Sequence, residues 1–116
     1  MYFTLQPSII QMDVSRIANL HYFEFTNDFH STQDCHNFCE LLYVDKGSLF
    51  IYAENYSGPL KENQLIIHRP NELHSLATSD TVAPNVIIIG FECSCERLIP
   101  FSRQPVSLTS DQTRAL

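Results

Sequence analysis

The 116-residue chain sets seven Lys and Arg against thirteen Asp and Glu, for a net charge of −6, and is 44% hydrophobic and 17% charged. Those proportions fit one folded domain, exclude a disordered chain, and argue against duplex DNA as a direct partner, since DNA affinity rests largely on cationic contacts to phosphate. No apolar run approaches the ~20 residues of a membrane-spanning helix, and the start MYFTLQPSIIQMD shows neither a basic leader nor a small-residue cleavage site. The expected setting is cytoplasmic, with no membrane partner.

In chain order, the pattern predicts an all-β domain. Ile17 to Phe25 (IANLHYFEF) alternates as a strand and closes at the Asn27-Asp28 turn signal. Glu40 to Asp45 and Ser48 to Glu54 form two strands joined at Asp45-Lys46-Gly47, where Gly47 supplies the positive φ of a tight hairpin. Asn55 to Pro59 breaks the next connection. Gln64 to Arg69 is a short strand ended by Pro70-Asn71-Glu72, and Leu73 to Ala77 pairs after it. A polar loop then leads into Asn85 to Cys93 (NVIIIGFEC), which is apolar on both parities: Val86, Ile88 and Gly90 on one, Ile87, Ile89 and Phe91 on the other. A strand of that kind is expected to be covered on both faces. Its outer side therefore calls for a helix or a second copy of the chain, with Ile87 or Ile89 exposed where that cover is missing. Short strands at this spacing predict a sandwich or barrel. The tail reads as the start of a helix, with Thr109 or Ser110 at the N-cap and Asp111 in the first turn. About two turns are marginal alone, so the parent protein is expected to continue past Leu116.

Four cysteines, Cys35, Cys39, Cys93 and Cys95, are read as free thiols rather than a zinc centre. On one extended segment Cys35 and Cys39 would stand ~13 Å apart, too far for one tetrahedral ion. With three glycines there is no phosphate-cradling loop, and no Ser/His/Asp order suggests a triad. Histidines and acids instead cluster twice, at Asp34-Cys35-His36-Asn37-Phe38-Cys39-Glu40 and at His68-Arg69-Pro70-Asn71-Glu72-Leu73-His74. His36, Phe38, Glu40, Leu42 and Val44 share parity, which suits a barrel interior with a polar floor. On a straight strand His36 and Glu40 lie ~13 Å apart, so a shared ligand needs a bend at Asn37-Phe38-Cys39. Arg69 is able to clamp a carboxylate or phosphate. His21 and His30 read as surface or strand histidines. Tyr22, Phe23, Phe25, Phe38, Tyr43, Phe50 and Tyr52 read as mostly core, with one or two free to line a sugar-binding pocket.

The spacing H-x3-E-x6-G from His36 through Glu40 to Gly47, followed by N-x6-P-x3-H from Asn63 through Pro70 to His74, resembles the two motifs of the cupin superfamily. The fuller texture, HNFCELLYVDKGSLFIY, LKENQLIIHRPNELHSL and NVIIIGFECSC, is similar to the N-terminal ligand-sensing domain of AraC-type transcriptional regulators, over roughly residues 17–108. Asn63 stands where cupins place glycine, and asparagine tolerates the left-handed backbone that such a turn requires. The resemblance implies a cupin-like jelly-roll β-barrel (17–108) with an N-terminal arm (1–16) and the start of a C-terminal helix (109–116). In the arm, Phe3, Ile9 and Ile10 are able to cover the pocket mouth or pack on the barrel. The implied function is effector sensing and dimerisation rather than catalysis. A small molecule such as a sugar would be held near His36, Glu40, His74 and Arg69, and DNA would be contacted only through a further C-terminal domain. No cofactor is expected. A cupin metal set, mapped residue by residue, is Asp34, His36, Glu40 and His74, with Asp34 where the first histidine stands in cupin enzymes. The alternative reading is a stand-alone metal-dependent cupin enzyme, an oxygenase, isomerase or epimerase.

Overall fold

The computed structural model describes residues 14–26, 28–79, 81–93 and 96–115. The strands are β1 (Val14–Glu24), β2 (Cys39–Lys46), β3 (Ser48–Ala53), β4 (Ser57–Lys61), β5 (Gln64–His68), β6 (His74–Ala77), β7 (Asn85–Cys93) and β8 (Val106–Ser107). The helices are a 3-10 turn (Glu96–Leu98), α1 (Ile99–Arg103) and α2 (Ser110–Ala115). The larger sheet runs β1-β7-β2-β5-β8 and the smaller β4-β3-β6. Strand alternation sends Leu42, Val44, Ile66 and Val86 from one sheet against Leu49, Ile51, Leu60 and Leu76 from the other. Each such side chain contributes about 1.5–3 kcal/mol on burial.

Turn chemistry follows the sequence. Gly47 has φ +80° in the β2–β3 hairpin, and a Cβ there would meet Val82 Cγ1 at 2.9 Å. Asn63 takes the left-handed turn at φ +65°, accepting the Tyr43 hydroxyl at 2.8 Å. Pro70 and Asn71 (φ +64°) separate β5 from β6 and return the chain to His74.

Several boundaries move. β1 begins at Val14, so residues 14–16 belong to the barrel and not to the arm; Phe3, Ile9 and Ile10 lie outside the described residues. Asn55 to Pro59, read as a break, contains most of β4; Pro59 is harmless there because β4 is an edge strand. Tyr22, Phe23, Phe50 and Tyr52 are exposed at 53%, 38%, 48% and 49%, whereas Tyr43 is fully buried. The expectation of a mostly core aromatic set is therefore corrected: Phe50 and Tyr52 alternate with the buried Leu49 and Ile51 and stack on the outer side of β3.

Part of the outer face of the larger sheet is covered by the chain itself. Cys39, Tyr43, Leu65, Ile67 and Phe91 form a second cluster closed by Leu98, with Phe101, Val106 and Leu108 at its margin. Ile87 and Ile89 both join this outer cluster and are half-buried. Exposure falls instead on β1, where Ile17 and Leu20, cross-strand from Phe91 and Ile89, are 63% and 65% accessible. α2 starts as the sequence predicts: Thr109 Oγ1 accepts the Gln112 N–H at 3.2 Å and Gln112 Oε1 accepts the Thr109 N–H at 2.8 Å.

Candidate functional site

Between the sheets the barrel opens into a cavity of about 380 Å³. Its floor gathers both sequence clusters. The chain bends at Asn37 and Phe38 before β2 starts at Cys39, so the straight-strand separation does not apply. His36 Nε2 lies 3.1 Å from Glu40 Oε2, and His74 Nε2 lies 3.3 Å from Glu40 Oε1. Asp34 is tied to His74 by a two-way backbone bridge of 2.8 and 3.0 Å. One ligand atom each from Asp34, His36 and His74 falls within 4.8 Å of the others.

The tautomers follow from the outer contacts. His36 Nδ1 faces the Phe38 carbonyl at 3.2 Å and His74 Nδ1 the Glu72 carbonyl at 2.8 Å. A carbonyl only accepts, so each Nδ1 carries its proton and each Nε2 is turned toward Glu40. An unprotonated Nε2 beside a carboxylate oxygen sets lone pair against lone pair. A proton or another cation between them makes the contact attractive. Burial works to lower the His74 pKa, but its hydrogen bonds to Glu40 and the Glu72 carbonyl, with the charges of Glu40 and Asp34, raise it above the ordinary value. Burial works to raise the Glu40 carboxyl; the His74 hydrogen bond and the surrounding imidazoles outweigh it and hold the carboxyl low.

His68, at the end of β5 and opposite Glu40 in the sheet register, adds a ring that the sequence reading placed in its second cluster without giving it a role. It stacks on His74 with centroids 4.2 Å apart, is 1% exposed, and neither ring nitrogen has a hydrogen-bond partner among the described residues. Burial, reinforced by His74, lowers its pKa to about 3 despite the Glu40 charge, which leaves it neutral. The β2–β5 register that brings it beside Glu40 is not written in either strand alone.

One wall is aromatic. His21, Phe23, Phe25 and Phe29 follow one another with centroids 5.4, 5.3 and 5.2 Å apart, the middle pair stacked and the outer two tilted, and Phe38 lies flat on His36 at 4.1 Å. Asn19, His21 and Phe23 share the inward parity of β1, so His21 lines the cavity rather than serving only as a surface residue. Arg69 does not: it is exposed past the end of β5, outside the cavity lining, and its backbone N–H is bonded to Glu72 Oε1 at 2.9 Å. The expected carboxylate clamp is corrected accordingly. Cys35 is exposed, Cys93 half-buried and Cys39 buried, its thiol donating to the Cys93 carbonyl at 3.6 Å; Cys95 lies outside the described residues. Among the described residues no cysteine joins the candidate ligand group.

Neither a family model nor a curated protein matches this chain in sequence. Solved structures do match. An RmlC-like cupin with a double-stranded β-helix fold from Methanocaldococcus jannaschii superposes with a TM-score of 0.58 at 10% identity, over 79% of this chain and 90% of that one. The chain has the cupin fold. ToxT from Vibrio cholerae matches at TM-score 0.52 and 10% identity over 63% of this chain. An oxalate decarboxylase variant from B. subtilis matches at 0.56 and 13% over 81%. The matched part spans only 29% of the ToxT chain and 26% of the decarboxylase chain. Within this cupin fold Asp34, His36 and His74 form a group of mixed nitrogen and oxygen donors, with Glu40 against both imidazoles, and such donors accept several first-row divalent ions. The backbone carbonyls on both Nδ1 atoms are the kind of outer contact that orients metal-bound imidazoles. Among the described residues no helix is long and apolar enough to cross a membrane.

Proposed function

We propose that this chain is the effector-sensing and dimerisation domain of an AraC-type transcriptional regulator. The observation that carries the reading is the open, aromatic-walled cavity with a small polar floor, whose volume lies in the range of small-molecule sites. The likeness to ToxT, an AraC-family regulator, adds support, as do the sequence motifs. Effector binding acts by shifting populations between arrangements of the barrel and a DNA-binding domain outside this chain, which requires different affinities for the two states. A thermal-shift screen of small organic molecules tests the reading. We expect ligands that raise the melting temperature of the chain and lose that effect in His36→Ala. A screen without such ligands counts against it.

Dimerisation has its own support in the exposed apolar strip of Ile17 and Leu20 beside the outer cluster. Concentration-dependent mass is expected in sedimentation equilibrium near 100 μM, where a contact of about −5.5 kcal/mol is half populated. Leu20→Lys is expected to reduce it with the β-sheet circular dichroism unchanged. A chain that stays monomeric at that concentration excludes this surface as an interface.

The second reading, a metal-dependent cupin enzyme, is favoured by the donor set alone. A metal held by Asp34, His36, Glu40 and His74 would supply Lewis acidity at the cavity floor. Stoichiometric iron or manganese by elemental analysis, lost in His74→Ala, is the result that selects it.

A further inference from the structure

The cavity's charge and shape together define a ligand class. Among the described residues its lining contains two carboxylates, Asp34 and Glu40, and no lysine or arginine. An anionic ligand, whether carboxylate or phosphate, would meet no fixed positive side chain there. What converges instead is carboxylate oxygen. Glu40 lies between the inward Nε2 atoms of His36 and His74, at 3.1 and 3.3 Å. A carboxylate oxygen of Asp34 lies within 4.8 Å of a ring nitrogen of each histidine. A primary ammonium carries three donors and no acceptor, and reaches acceptors at about 2.7–2.9 Å. It is the organic group complementary to that floor.

Two further features point to an occupant larger than a bare ion. The ladder of His21, Phe23, Phe25 and Phe29 gives the cavity a continuous aromatic side. A metal ion leaves that side unused, whereas an apolar or aromatic body packs on it and a cation near it gains from the ring faces. His68, buried on the same floor with both nitrogens unpartnered, is a neutral polar group for which nothing in the described chain provides a partner.

From this juxtaposition of acceptor floor and aromatic ladder, we infer that the ligand of this cavity is an arylalkyl ammonium: a protonated primary amine on a short aromatic body. The inference rests on the proposed role of the cavity as a small-molecule site and specifies what enters it. The amine nitrogen sits among Asp34, His36, Glu40 and His74, and the ring lies along Phe23 and Phe25.

Isothermal titration calorimetry on the chain, with matched probes, tests it: 2-phenylethylamine, 2-phenylethanol, 3-phenylpropanoate, glucose, and Zn²⁺ alone. The amine is expected to bind at least about tenfold more tightly than the alcohol, the worth of a charge-assisted hydrogen bond, with no heat from the propanoate. Asp34→Asn keeps the size of the side chain and the acceptor for the Cys35 N–H, so it leaves the fold unstrained. It is expected to weaken the amine about tenfold and leave the alcohol unchanged; Phe23→Ala weakens both. If the alcohol, the propanoate or glucose binds as tightly as the amine, the ammonium inference fails while the small-molecule reading stands. If Zn²⁺ binds stoichiometrically and no organic probe does, both fail in favour of the metal reading. Equal loss of amine and alcohol in Asp34→Asn also overturns the assignment.

Discussion

Replacing His68 with leucine is expected to make the protein more stable at pH 4, and to flatten the acid side of its stability profile. In the folded chain the imidazole is buried, unpartnered and neutral down to about pH 3; in the unfolded chain it titrates at its ordinary value of about 6.5. Between those two values the unfolded state binds the extra proton, so stability rises with pH across the window and is lost as pH falls through it. The full window is worth up to about 5 kcal/mol by linkage. Leucine has no proton to bind and fills a similar volume without two unsatisfied nitrogens, whose burial alone costs about 1–3 kcal/mol. Two neighbours titrate as well. Glu40, with its pKa lowered, contributes stability above its unfolded value that is lost in acid. His74, with its pKa raised, contributes stability below its unfolded value that is lost as pH rises through the folded one. Both groups remain in the variant, and His68 is the smallest of the causes that hold Glu40 low, so the difference between the two proteins reads mainly His68. Urea unfolding at pH 4 and pH 8 reads it: the gain from leucine is larger at pH 4. An equal gain at both values would mean that His68 is protonated or partnered in the folded state.

The same residue shows where sequence reading stops. Local chemistry was enough for β7, whose bounds the apolar run gives to the residue, for the Gly47 and Asn63 turns, and for the Thr109 cap. His36, Glu40 and His74 came from the resemblance to the two cupin motifs rather than from local chemistry, and the structure brings the three side chains together. Parity put His36, Phe38, Glu40 and Leu42 on the inner side, where all four line the cavity, and the bend it required falls at residues 37–38. Pattern failed for Phe50 and Tyr52, because alternation does not say which side of an edge sheet meets solvent. His68 and His21 needed the cross-strand registers β2–β5 and β1–β7. Arg69 was drawn in by its chemistry and excluded by its place past the end of β5. The cover over the outer face was foreseen as helix or second subunit, and the segment from Leu98 to Leu108 provides part of it within the chain.

Gly90 is the position where a small change is expected to disturb the site most. Valine is a better strand former than glycine, so propensity alone would favour Gly90→Val in the middle of β7. Packing reverses that sign. Gly90 faces inward beneath the cavity, where an added Cβ would lie 2.7 Å from Phe38 Cε2 and 2.9 Å from both side-chain heteroatoms of Asn19. Asn19 is held there by the Gly90 N–H, which donates to its Oδ1 at 3.1 Å. Phe38 is held by its flat contact with His36, 6° from parallel. Valine therefore has to push the phenylalanine ring off His36, and the imidazole loses the surface that aims Nε2 at Glu40. Overpacking of this kind costs about 1–3 kcal/mol, and any ligand on the His36–Glu40–His74 floor should bind more weakly. The clash is specific, so it can be undone: Phe38→Ala in the Gly90→Val background removes the obstructing ring. The double variant is expected to be more stable than the sum of the two single losses by about 1 kcal/mol or more, the size of coupling found for residues in contact. Denaturant titration of the four proteins measures the cycle. Additive losses would mean that the strand relaxes away from the cavity, and that Gly90 does not shape the site.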